Sequence, residues 1–247
     1  ASHRIVTERS QLAMPETRIG FFPDVGGGYF LSRCPGYAGE WLALTGNAVS
    51  GADALAIGWA DHWLPSTRLP EFWRQLAEKE WSDSAAIAQW VTQSCDPAPA
   101  VSDDFDHGLR QAEHYFAGTD LAAIVRQLEQ AKGDAWAQAT AATLRQRSPL
   151  MLHVVLRQIR GGRALSYAQN IYRERVMVHH CFHPDHLGRA PRNSEVIEGI
   201  RALVIDKDQR PLWQPERVED VTPEMAEGFF AEVWRPGDHP LRQLLQP

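Results

Sequence analysis

Residues 14–31 read Met-Pro-Glu-Thr-Arg-Ile-Gly-Phe-Phe-Pro-Asp-Val-Gly-Gly-Gly-Tyr-Phe-Leu, and this run restricts the fold more than any other part of the chain. Pro15 and Pro23 each lack a backbone donor and disfavour helix at the residue before them. The Glu16–Asp24 segment is therefore predicted to lie outside regular helix, with helix beginning near Gly26. The run carries two carboxylates, Glu16 and Asp24, beside that helix entrance. Such a pair can act as nucleophile or base and as holder of a substrate hydroxyl. On spacing alone a plainer reading competes, with Glu16 a solvated loop carboxylate and Asp24 an N-terminal helix cap. Gly26-Gly27-Gly28 has neither the Lys-Ser/Thr ending nor the spacing of a nucleotide loop, so close helix packing is the expected reason for it.

Around this run, Ile5-Val6-Thr7 and Gln11-Leu12-Ala13-Met14 read as short strands about a polar turn at Glu8-Arg9-Ser10. Helices are expected up to Pro35, from Ala38 to Leu44, and from Ser50 to Gly58, with a strand over Ala60–Pro65. Strand, helices and strand in that order suggest an α/β unit. Residues 70–147 are helical in character, broken at Asp96-Pro97-Ala98-Pro99. Ser148-Pro149 then opens a broadly apolar helix ending at Gly161-Gly162, and another helix runs from Leu165 to about His180. These breaks divide the chain into residues 1–66, with the carboxylate run, a helical insertion over 67–147, and a helical C-terminal region over 148–247.

With 247 residues, 44% hydrophobic and 23% charged, the chain is long enough to bury a substantial core. A formal net charge of −6 argues against a nucleic-acid partner, which needs a concentrated cationic face. Cys34, Cys95 and Cys181 form no CxxC pair and read as separate thiols of a reducing compartment. No apolar run approaches the length of a membrane span. A cytoplasmic protein without a membrane partner is expected. Ala1-Ser2-His3-Arg4 has no signal-peptide core and begins directly in strand-like sequence, so the chain is expected to be the downstream part of a longer polypeptide.

The run around Glu16 and Asp24 resembles that of the 3-hydroxyisobutyryl-CoA hydrolases, a branch of the crotonase (enoyl-CoA hydratase/isomerase) superfamily. Leu42-Ala43-Leu44-Thr45-Gly46 with Gly58-Trp59-Ala60-Asp61 is similar to the superfamily's LTG…GLAD passage. Ser148-Pro149 resembles the start of its C-terminal helical part. Glu198-Gly199-Ile200-Arg201-Ala202, then Ile205-Asp206-Lys207-Asp208 and Pro211-Leu212-Trp213, resembles the ending of the hydrolase branch. At the position of Asp24, simple hydratases usually carry glycine, so Asp24 is the residue that favours the hydrolase branch.

The resemblance implies an α/β fold, a partial crotonase-like ββα spiral followed by a mainly helical region. It implies roughly a hundred further residues upstream, with a glycine-rich loop whose N–H groups form the oxyanion hole. Activity is expected to need that segment, and an upstream fragment of the same protein is the expected partner. The implied reaction is hydrolysis of a short β-hydroxyacyl-CoA, 3-hydroxyisobutyryl-CoA of valine catabolism, by a thioesterase. In it Glu16 attacks the thioester or activates water, and Asp24 holds the β-hydroxyl. No cofactor is implied, CoA being part of the acyl-CoA substrate, and a homo-oligomer is compatible. Hydration or isomerisation of an acyl-CoA is the nearest alternative, and a non-catalytic acyl-CoA-binding or scaffolding subunit the other.

Three further features are weighed. His179, His180, Cys181, His183, Asp185 and His186 crowd one stretch, yet Pro184 breaks the helix there and the spacing fits no closed four-ligand pattern, so no metal site is expected. Trp41, Trp59, Trp63 and Trp90 are expected in packing rather than in a ligand cage. Lys207 is expected in an exposed local ion pair with its acidic neighbours rather than on a CoA phosphate.

Overall fold

The computed structural model describes residues 2–235 and 237–245. Two short strands come first, β1 (Ile5–Val6) and β2 (Gln11–Leu12). A 3-10 turn over Glu16–Ile19 follows, then helices α1 (Gly27–Leu31) and α2 (Ala38–Thr45). Next are β3 (Val49–Ser50), α3 (Gly51–Ala56) and β4 (His62–Trp63). Five helices occupy the following stretch: α4 (Leu69–Glu78), α5 (Ser84–Ser94), α6 (Asp103–Tyr115), α7 (Leu121–Gln130) and α8 (Ala135–Arg145). The longest pair comes after them, α9 (Pro149–Gly162) and α10 (Tyr167–Phe182), then the short α11 (Glu195–Ile200) and α12 (Pro223–Glu227). No helix among the described residues is long and apolar enough to cross a membrane.

Side-chain caps explain where most of these helices begin. Asp83, Asp120, Asp134 and Ser148 each accept a backbone N–H from the first turn of α5, α7, α8 and α9. Ser166 and Gln169 close a capping box on α10, satisfying two otherwise orphaned donors.

The chain forms two compact units. One is built from the N-terminal stretch through Ala13 and from Ala48–Gly108. Here β1 pairs in parallel with β4, Ile5 opposite His62, and β2 pairs antiparallel with β3, Leu12 opposite Val49. The turn between the first two strands exists, with Ser10 N–H donating to Thr7 O at 3.1 Å, but each strand finds a different partner. Arg4 and Asp61 join β1 to the approach of β4 through a bidentate pair, with contacts of 2.7 and 2.9 Å. Leu64, Phe72 and Val91 form a buried cluster with Ile5, Leu69 and Trp90 packed around it.

The other unit comprises Met14–Asn47 and the chain from Leu109 onward. Its centre is α9, on which Leu150, Met151, Leu152, Val154, Val155 and Ile159 are fully buried. Burial of one such side chain is worth about 1.5–3 kcal/mol. α9 packs against α1, α2 and α12. Every residue of α2 is buried, as the apolar Trp41-Leu42-Ala43-Leu44 passage demands.

Two expectations change in detail. Glu16 does not lie in irregular chain but is the first residue of a 3-10 turn, because Pro15 is acceptable ahead of a short turn that Gly20 then ends. Lys207 makes no ion pair among the described residues, because Asp206 and Asp208 both bond Arg201, at 2.7 Å each.

Candidate active site

Both carboxylates of the Met14–Leu31 run lie in the second unit. The turn carrying Glu16 is anchored by its neighbour: Thr17 is fully buried, donates its hydroxyl to Leu44 O at 3.1 Å and accepts the Ser148 N–H at 3.3 Å. Against the same turn packs α11. A Cβ on Gly199 would stand 2.2 Å from Ile19 O, so the glycine of the Glu-Gly-Ile-Arg-Ala passage lets the two backbones touch.

Asp24 follows the buried Phe22 and Pro23 and precedes α1. The N-cap of α1 is Gly26, with no side-chain cap, so the Asp24 carboxylate does not serve as the helix cap that spacing alone allows. Its backbone carbonyl instead accepts the Gly27 N–H at 2.7 Å. Its side chain is half-buried and receives its own backbone N–H.

Burial sets the electrostatics. The Glu16 carboxyl is pushed up to about 7 by burial, with a smaller upward push from the Asp24 charge, and its own N–H works against both. Its Oε2 is buried and has no hydrogen-bond partner. Burial also raises Asp24 above the usual carboxylate range. The arrangement therefore has one group titrating near neutrality and a neighbour ionised before it, the separation that divides base and hydrogen-bond-acceptor roles.

A third carboxylate holds the turn beside this pair. Glu174 on α10 is 4% exposed and accepts the N–H of Gly26 at 2.8 Å and of Gly28 at 3.2 Å. Burial pushes it up to about 7; the Asp24 charge adds to this, while the two glycine N–H groups and Arg173 oppose it. Gln158 on α9 donates to Pro23 O at 2.7 Å. Sequence reasoning missed both residues. The signal was present in α10, where Asn170, Glu174, Met177 and Cys181 form one buried stripe at helical spacing, so Glu174 sits on the inner face.

The histidine-rich stretch is arranged differently. α10 ends at Phe182, His179 stacks on His183 at 4.6 Å between ring centroids, and Cys181 is buried. Among the described residues no three His, Cys, Asp or Glu side chains gather as a metal site. Trp41 and Trp59 are buried, and Trp90 packs on Phe72 at 4.8 Å.

The profile of the family described as "Enoyl-CoA hydratase/isomerase" matches residues 1–230. The chain belongs to this family. Within the enoyl-CoA hydratase/isomerase family it is 37% identical, over 95% of its own length, to 3-hydroxyisobutyryl-CoA hydrolase 1 of Arabidopsis thaliana, of which it covers 61%. It is 33% identical over 92% of its length to the small ribosomal subunit protein mS47 of the same plant, covering 55% of that protein. Among solved structures, a carnitinyl-CoA dehydratase from Mycobacterium thermoresistibile aligns with a TM-score of 0.77 and 33% identity, over 94% of this chain and 62% of that one. The α/β crotonase-like architecture expected from the motifs is thereby established. The chain spans under two thirds of the length of the curated hydrolases it matches.

Proposed function

We propose that this chain supplies the carboxylate part of a CoA thioesterase that hydrolyses a short β-hydroxyacyl-CoA, with 3-hydroxyisobutyryl-CoA as the first substrate to test. The observation that carries the reading is the pairing of Glu16, half-buried with an unpartnered Oε2 and titrating near 7, with an Asp24 carboxylate that caps no helix. The similarity to 3-hydroxyisobutyryl-CoA hydrolase 1 supports it.

In the proposed reaction an oxygen of ionised Glu16 bonds to the thioester carbonyl carbon, the C–S bond breaks, and the CoA thiolate leaves and takes a proton from solvent, which is returned when water attacks in the next step. Water then cleaves the resulting anhydride, releasing the hydroxy acid and restoring Glu16. Alternatively Glu16 takes a proton from the attacking water in a single displacement. Asp24 accepts a hydrogen bond from the substrate's β-hydroxyl and fixes the acyl group. Backbone N–H groups from the segment expected upstream stabilise the oxyanion.

The dehydratase neighbour makes hydration the alternative chemistry, and mS47 the reason to keep a non-catalytic role as the other. The test is CoA release, followed with a thiol reagent in the complete protein, beside ultraviolet detection of hydration of an enoyl-CoA. Free CoA is expected from 3-hydroxyisobutyryl-CoA, and Glu16→Gln should lower its release by about 10²–10⁴-fold. Full release by that variant, or hydration without release, overturns the reading.

A further inference from the structure

The turn that carries Asp24 is held on both sides by side chains from distant helices. Upstream, Gln158 Nε2 donates to Pro23 O at 2.7 Å. Downstream, the two oxygens of Glu174 accept the Gly26 and Gly28 N–H groups at 2.8 and 3.2 Å. Gln158 is fully buried and Glu174 nearly so. Between these anchors the backbone is not relaxed: Val25, branched and exposed, has φ +48°. A branched residue in the left-handed region persists only where its surroundings impose it.

α1 cannot impose it alone. The helix has only five residues, and its N-cap is a glycine without a side chain to accept the first N–H groups. Glu174 provides that acceptor from another helix. The fit is close, since a Cβ on Gly28 would lie 2.6 Å from Gln158 Nε2 and 3.1 Å from Glu174 Oε1. Burying a carboxylate is costly, and a hydrophobic residue would fill the same space. What a carboxylate adds is two acceptors aimed at two N–H groups of one turn.

We propose that Glu174, together with Gln158, is a positioning residue that fixes Asp24 for the substrate's β-hydroxyl and so sets selectivity for hydroxyacyl over plain acyl thioesters. This rests on the function proposed above for Asp24. Glutamine at position 174 keeps the volume but turns one acceptor into a donor facing a backbone N–H. The substitution should therefore loosen the turn without emptying the core.

The test compares kcat/KM for 3-hydroxyisobutyryl-CoA and isobutyryl-CoA, which lacks the hydroxyl, in the complete protein. Glu174→Gln should lower the ratio of the two about 10-fold, the loss falling on the hydroxyacyl substrate. On an Asp24→Asn background the same change should leave the ratio unaltered, because the two residues act as one unit. An unchanged ratio in the single variant, or equal losses on both substrates, overturns the proposal. Should Glu174→Gln fail to fold, Gln158→Met must lower the same ratio, and its failure to do so overturns the proposal equally.

A wild-type protein with no preference for the hydroxyl would instead overturn the role assigned to Asp24. The clamp is then decided without turnover, from amide hydrogen exchange at Gly26 and Gly28. Exchange about 10-fold faster in Glu174→Gln supports it, and unchanged exchange overturns it.

Discussion

Asp24 loses its proton ahead of Glu16, and this order follows from burial: Glu16 is the more desolvated and also feels the Asp24 charge. For the proposed reaction Glu16 must be ionised, so kcat/KM for the thioester should rise with pH through a midpoint near 7 and then level off. Stability should move the opposite way. A carboxyl whose folded pKa lies above its unfolded value binds more protons when folded, so its contribution is full below about pH 4.3 and is lost as pH rises through about 7. Glu16→Gln should accordingly raise the melting temperature more at pH 8 than at pH 5, measured by calorimetry; the same or a smaller gain at pH 8 contradicts the buried carboxyl. Asp24→Gly should cost 3-hydroxyisobutyryl-CoA turnover far more than isobutyryl-CoA turnover, by about 10²-fold in their ratio, because a half-buried acceptor that holds the hydroxyl is the source of the discrimination.

At the scale of elements, the start of α1 and the start of α9 are the joints that hold the site. Gly28→Ala places a methyl against Gln158 and Glu174, and overpacking of this kind costs about 1–3 kcal/mol in denaturant unfolding. Ser148 both caps α9 and donates to the buried Glu195 carboxylate. Ser148→Ala removes the cap and leaves a buried carboxylate short of a donor, so a loss of about 2 kcal/mol or more is expected from the same measurement. Some helix boundaries were readable from sequence because their signals are local: Ser148-Pro149 before α9, Gly46 after α2, and Pro184 after α10, whereas residues 70–147 read only as helical in character and did not show where α5, α6, α7 and α8 begin. The 3-10 turn at Glu16 was not readable, since short turns depend on what anchors them, here Thr17 on Leu44.

At the scale of the whole chain, the first unit rests on a small apolar cluster around Leu64, Phe72 and Val91. Phe72→Ala should cost about 3–5 kcal/mol and speed amide exchange along β1 and β4, whose pairing flanks that cluster. Protection unchanged in both strands would show that the cluster does not support them.

By itself the sequence determined the family, the carboxylate run and the starts of α2, α3, α9 and α10, because motifs, prolines, glycines and caps act through neighbouring residues. Only the tertiary structure decided that β1 pairs with β4 rather than with β2, and that Asp24 is not a helix cap. It alone brought Glu174 to glycines 148 and 146 positions away. A buried carboxylate on a helix looks in sequence like any other glutamate. Its partners and its shifted ionisation arise only when packing takes it out of water and sets two N–H groups in front of it.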